Sequence, residues 1–244
     1  MNRILPVMLL ERRGFYKTFN YKQKKYLGDP FNVLNILNTK GVDEGAIINI
    51  DGNKGTADFG FLSELASEAF FPLSYGGNID SEDMALRLID IGFEKVVFNT
   101  SFYDQPDVLK NVISALGSQA VTLNIDYKYN IFGKLNFYKN CAKTKIKITL
   151  EDLIDQIISL EPGEVFLSCM NRDGTRTGYD MDIISKFNTI KSQLVVNCGA
   201  KDHEYLQKIS SDNSSISFAG AAAFFLSANN EGVLITYPER NYEM

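Results

Sequence analysis

The sequence predicts an α/β fold, a (β/α)8 barrel built as one domain over residues 1–244, and three observations carry that expectation. Eight short apolar, β-branched-rich runs alternate with amphipathic helical patterns, the signature of a parallel sheet, and eight is the number of strands that closes a barrel. The second half of the chain echoes the first. The ends of the runs carry glycine and polar residues, where a barrel of this kind builds its site.

The strand-like runs are ILPVMLL (4–10), AIINI (46–50), FFPLS (70–74), KVVFN (95–99), AVTLNI (120–125), EVFLS (164–168), QLVVN (193–197) and SISFA (215–219). The first has seven apolar residues without a break, as expected of a strand buried on both faces. The clearest helical patterns are 83–92, 106–117, 149–160 and 181–191. Ser81 followed by Glu82 and Asp83 reads as a helix start, and Gly92 and Gly117 as helix stops. The half-to-half echo pairs Glu44 with Glu164, Gly77 with Gly199, Phe98 with Phe218 and Leu9 with Asp126, at separations of 120, 122, 120 and 117 positions.

Composition narrows the class. The chain is 45% hydrophobic and 23% charged, with net charge −5, and is long enough for a large core. That balance argues against nucleic acid or a membrane surface as a partner, although KQKKY (22–26) is a local basic patch. Cys141, Cys169 and Cys198 are odd in number and far apart, which predicts neither a disulfide framework nor a zinc site and suits a reducing compartment. The N-terminal apolar run is too short to span a bilayer, so a cytoplasmic protein is expected. Metal-ligand spacing is absent and nothing calls for a cofactor.

Chemistry is expected just after the runs. Gly76 and Gly77 follow the third, Asn99 and Thr100 close the fourth, Gly199 follows the seventh, and Gly220 and Ala221 follow the eighth. Such turns let backbone N–H groups approach a phosphate, and two pairs in opposite halves would bind a ligand with a phosphate at each end. Asp126, directly after the fifth run, is a candidate general acid or base; a structural cap is the alternative reading. Residues 168–180 form a polar, turn-rich loop expected to cover a ligand. His203, the one histidine, is expected to open a helix and face solvent.

With GDP (28–30), VDE (42–44), YGG (75–77), EKVVFNT (94–100), GSQAV (117–121), NID (124–126), GE (163–164) and RDGTRTGYD (172–180) in order, the chain resembles the cyclase subunit of imidazole glycerol phosphate synthase along nearly its whole length. Within that family it looks closest to the glycosyl-amidation branch found with surface-polysaccharide genes, an expectation that the segment 233–240 near the C-terminus supports. The resemblance implies a TIM fold with a half-barrel repeat, and a glutaminase docked at the N-terminal face that releases ammonia into the barrel. It implies a cyclase reaction at the top face, with two aspartates, after the first and fifth strands. Asp126 keeps the second, but Leu9 stands at the first and cannot transfer a proton.

Asn49, Asn78 and Asn171 also depart from the family pattern, and the second phosphate loop, NCGAK (197–201), has lost one glycine of its pair, while Lys17 is retained in a mobile loop after the first strand. Arg3, Glu44, Lys95 and Glu164 match the family's four-charge ring at the ammonia entrance. The expectation is an ammonia-channelling barrel subunit serving a sugar amidotransferase, with cyclase chemistry lost. The alternatives are a working cyclase of histidine biosynthesis and a scaffold that activates a glutaminase.

Overall fold

Eight parallel strands close on themselves. The computed structural model describes residues 3–52 and 57–238. Part of the 233–240 segment, residues 239 and 240, lies outside them. In chain order the strands are β1 (Ile4–Glu11), β2 (Gly14–Phe19), β3 (Gln23–Gly28), β4 (Gly45–Asn49), β5 (Leu73–Gly76), β6 (Lys95–Phe98), β7 (Val121–Tyr129), β8 (Leu135–Lys139), β9 (Thr144–Ile146), β10 (Glu164–Cys169), β11 (Gln193–Asn197) and β12 (Ile216–Gly220). The barrel order is β1-β4-β5-β6-β7-β10-β11-β12, closed by parallel pairing of β12 with β1 and of β7 with β10. Closure leaves these strands no free edge.

All eight apolar runs are barrel strands, but the third is shifted. Phe70 is 84% exposed and Pro72 brings no N–H to a ladder, so β5 begins at Leu73 and runs on through Tyr75 and Gly76. The remaining four strands form two antiparallel hairpins, β2–β3 after β1 and β8–β9 continuing β7. Each half of the barrel therefore carries a hairpin after its first strand.

The helices are α1 (Pro30–Asn38), α2 (Phe59–Glu68), α3 (Glu82–Asp90), α4 (Thr100–Asp104), α5 (Pro106–Leu116), α6 (Leu150–Leu160), α7 (Asp182–Lys186), α8 (His203–Asp212) and α9 (Ala222–Phe225). Their starts follow capping chemistry. Asp29, Ser81, Thr149 and Asp202 each accept a first-turn N–H, and Pro30 sits where its missing N–H costs nothing. Gly92 and Gly117 take positive φ at the ends of α3 and α5. The helix expected over 181–191 is shorter: after Lys186 the chain tightens into i to i−3 bonds, Phe187 N–H to Ile184 O and Ile190 N–H to Phe187 O.

The alternating strand faces make two cores. Outward residues such as Met8, Leu10, Val96 and Leu123 pack beneath the helices. Inward residues Leu5, Val7, Ala46, Phe166, Val195 and Ala219 fill the barrel as a separate cluster, with Leu9 and Ile48 above them. Among the described residues no helix is long and apolar enough to cross a membrane, and no group of three or more His, Cys, Asp or Glu is placed to hold a metal ion.

Candidate functional site

The first candidate layer lies at the foot of the barrel. Glu44 precedes β4, Lys95 and Glu164 open β6 and β10, and Arg3 precedes β1. Lys95 Nζ donates to Glu44 Oε1 at 2.8 Å and to Glu164 Oε1 at 3.0 Å, and the two arms of Arg3 reach Glu44 Oε2 and Glu164 Oε1. The four side chains close a cycle in which every charge meets two of opposite sign. Ser74 Oγ donates to Glu44 Oε1, which it shares with Lys95, at 3.3 Å, and Thr122 Oγ1 donates to Glu164 Oε2 at 3.2 Å. Burial opposes the Arg3 charge, but Glu164 and Glu44 outweigh it and raise its pKa. Buried charges persist when paired and hydrogen-bonded in this way.

A cavity of about 260 Å³ opens at the other end, over the C-terminal ends of the strands. Its floor reaches Val7 and Phe166, so the inward side chains Leu5, Ala46, Val195 and Ala219 lie between it and the charged ring. Asp126 lines it and is 4% exposed. Tyr21 Oη and Asn124 Nδ2 both donate to Asp126 Oδ1 at 2.9 Å. Burial pushes this carboxyl up to about 6, against the two hydrogen bonds, which favour the charged form. The polar chain continues from Asn124 Oδ1 to Ser168 Oγ at 2.6 Å and from there to Asn197 Nδ2 at 3.1 Å. Leu9 also lines the cavity, from the strand diametrically opposite Asp126 in the barrel order.

Lys17 is not in a loop. It stands in β2, 2% exposed, and its ammonium contacts Asp173 and the Thr18 carbonyl. Asp173 also accepts from Thr18 Oγ1 at 2.8 Å and Tyr21 N–H at 3.0 Å. One buried carboxylate thereby ties the first hairpin to the turn after β10. The hairpin in turn lowers Tyr21 onto Asp126, a contact the sequence did not signal because 105 residues separate the two.

The two glycine turns are built alike. Gly77 and Gly199 have φ of +107° and +109°, and a Cβ on either would lie 2.2 Å from a carbonyl oxygen, of Asn49 or of Gly178. Gly77, Asn99, Thr100, Gly199, Gly220 and Ala221 all line the cavity. Gly76 does not. It lies within β5, where a Cβ would strike Val97, so close strand packing is its visible role. Neither Asn99 nor Ala221 caps its helix with a side chain, so the N–H groups at the starts of α4 and α9 remain uncapped beside the cavity.

Two non-glycine residues beside these turns take positive φ: Asn78 adopts +58°, which asparagine accommodates, and Cys198 +72°, which cysteine does not favour. Burial raises the Cys198 thiol well above its ordinary range, and all three cysteines are free.

Two asparagines gain structural duties. Asn49 donates to Tyr75 Oη at 3.1 Å and accepts from Asp51 N–H at 2.9 Å. Asn171 accepts from Tyr129 N–H at 2.8 Å and donates to Tyr129 O at 3.3 Å, clamping the second hairpin. His203 is not solvent-facing: its Nε2 sits 3.1 Å from both Ala223 O and Thr236 Oγ1, and burial lowers its pKa.

A closed parallel barrel with a cavity of mixed apolar and polar lining over its strand ends and an ion-pair ring at its foot defines a (β/α)8 protein with its candidate site at the C-terminal face. The chain belongs to the histidine biosynthesis protein family, whose description matches residues 3–229. A relative from Leptospira borgpetersenii, provisionally named imidazole glycerol phosphate synthase subunit HisF, is 34% identical over 97% of this chain and 94% of its own length. One from Leptospira interrogans with the same name is 32% identical over 98% and 95%. A Vibrio vulnificus (strain YJ016) relative, provisionally named as subunit hisF3 of that synthase, is 30% identical over 97% and 93%.

Proposed function

We propose that this chain is an ammonia-conducting barrel subunit of a glutamine-dependent amidotransferase system. A glutaminase binds the N-terminal face and releases ammonia at the ring of Arg3, Glu44, Lys95 and Glu164. The ammonia crosses the apolar interior and leaves through the upper cavity to a sugar amidotransferase, which forms an acetamidino group in surface-polysaccharide synthesis. The observation that carries this reading is the closed ring beneath an apolar shaft, retained while Leu9 faces Asp126 across the mouth. Neutral ammonia enters such an interior far more readily than ammonium, because desolvation penalises the charge. Passage requires a ring cation to swing aside, and Lys95, a flexible side chain on a strand end, is the suitable arm. The three free thiols fit the reducing cytoplasm.

The test combines the chain with its glutaminase and the sugar amidotransferase and compares amidated-sugar formation driven by glutamine and by ammonium salts. In Lys95→Gln or Glu164→Gln, glutamine hydrolysis continues and ammonium-driven turnover is kept, while glutamine-driven turnover drops several-fold as ammonia leaks. Equal loss of both would assign the ring a purely structural role.

A second reading, a working cyclase, draws on Asp126. A carboxyl at about 6 is a competent general acid or base, and Tyr21, whose hydroxyl burial and the Asp126 charge hold well above its ordinary range, would orient it as a hydrogen-bond donor, with no acid at Leu9. Lys17 would hold the first hairpin over the cavity. Gly77, Asn99 and Thr100 in one half and Gly199, Gly220 and Ala221 in the other would grip a doubly phosphorylated ligand. Turnover of the family's ribonucleotide substrate with free ammonia, abolished in Asp126→Asn, would establish this reading over the first.

A further inference from the structure

The second hairpin rises from the cavity face and ends in an apolar tip. Residues 128–147 read KYNIFGKLNFYKNCAKTKIK, six lysines and no acid, in a chain of net charge −5. At the turn between β7 and β8, Ile131 and Phe132 are 93% and 87% exposed. This exposure is built by an ordered turn. Asn130 Oδ1 accepts from Phe132 N–H and Lys134 N–H at 2.9 Å each, Asn130 N–H donates to Lys134 O, and Gly133 N–H to Asn130 O. The Asn171 clamp on Tyr129 braces the base. Lys134, Lys145 and Lys147 are exposed, Lys143 lines the upper cavity, and among the described residues only Lys139 of the six has a carboxylate partner, Asp104.

We propose that this hairpin docks the protein on an anionic membrane surface, with Ile131 and Phe132 entering the headgroup region and the lysines facing lipid phosphates. The acidic whole does not oppose this, because charges further than roughly 8–10 Å away are screened at cellular salt. Paired apolar and basic side chains on one projecting element are what an interfacial anchor needs. A protein partner would be drawn to the same lysines, but a stable protein interface takes roughly 20–30 residues a side. The apolar part here is two side chains on a convex turn. A fluid bilayer needs no matching socket.

The experiment uses the full chain and sedimentation with vesicles of phosphatidylglycerol and phosphatidylethanolamine, against vesicles of phosphatidylcholine. Binding to the anionic vesicles alone is expected, weakening as salt rises. Lys134→Gln and Lys145→Gln should each weaken it about fivefold, and Ile131→Ser combined with Phe132→Ser should reduce it by about tenfold or more. These side chains are exposed, so folding, checked by circular dichroism, stays intact. The chain has no tryptophan, so Phe132→Trp gives a single tryptophan, excited selectively at the red edge beyond tyrosine absorption, whose emission should shift blue on anionic vesicles. Absence of wild-type binding to anionic vesicles, or undiminished binding by the double serine variant, overturns the proposal. So does a lack of vesicle binding accompanied by stoichiometric cross-linking of a protein through position 132, which would assign the tip to a protein partner.

Discussion

Asp126 is held by one oxygen, and its burial has a measurable cost. Its folded pKa of about 6 lies above the ordinary 3.8. Between those values the folded state keeps a proton that the unfolded chain has released, so stability falls as pH rises through that window. The displacement from 3.8 to about 6 corresponds to roughly 3 kcal/mol as an upper figure. Asparagine at this position keeps an oxygen for Tyr21 and Asn124 but carries no charge. Asp126→Asn is therefore expected to match wild type near pH 4 and to exceed it near pH 7, as read by urea denaturation at both values. Parallel pH profiles would contradict the assignment. At the second hairpin, Asn171 both donates and accepts. Asn171→Asp loses the bond donated to Tyr129 O and should cost about 1 kcal/mol, with faster amide exchange in β8 read by NMR.

The elements explain why the two halves resemble each other where they do. Gly77 and Gly199 sit where β5 and β11 leave the barrel, each with a carbonyl 2.2 Å from any Cβ and each at positive φ. Alanine there meets backbone that cannot yield cheaply, so Gly77→Ala and Gly199→Ala should each destabilise by about 2 kcal/mol or more, seen in denaturant midpoints. Gly41, also at positive φ but with nothing nearby, should be affected less by the same change. The ring behaves as a unit. Lys95→Met leaves Glu44 and Glu164 sharing Arg3 alone, and roughly 3–5 kcal/mol of destabilisation is expected. Adding Glu164→Met to that variant should restore part of the loss in a double-mutant cycle, because it removes the orphaned charge.

At the scale of the molecule, barrel closure makes the parts interdependent. β1 and β7 lie opposite each other, and each is hydrogen-bonded on both sides to strands distant in sequence. A barrel closed in this way should unfold in one transition, with calorimetric and van't Hoff enthalpies in agreement. With no disulfide among its cysteines, that transition should be insensitive to reductant. Two separated transitions would mean that the half-barrels fold independently, as their echo in sequence would otherwise allow.

The sequence by itself determined the eight strands, because a strand buried on both faces must be written as an unbroken apolar run, and such runs survive reading without context. It marked the glycine turns as local residue identities at strand ends, while Arg3, Glu44, Lys95, Glu164 and the leucine at position 9 acquired a role only through the family resemblance. It misplaced the third strand, where Phe70 is apolar yet exposed, and it gave no sign of either hairpin's role, where polar and apolar residues mix.

Only the tertiary structure decided what touches what. The closed cycle of four charges joins positions up to 161 residues apart, Tyr21 meets Asp126, and Asp173 captures Lys17. Those contacts depend on barrel closure, which brings distant strand ends within hydrogen-bond reach. The pKa of Asp126 and the exposure of Ile131 and Phe132 likewise depend on surroundings that no local stretch of sequence contains.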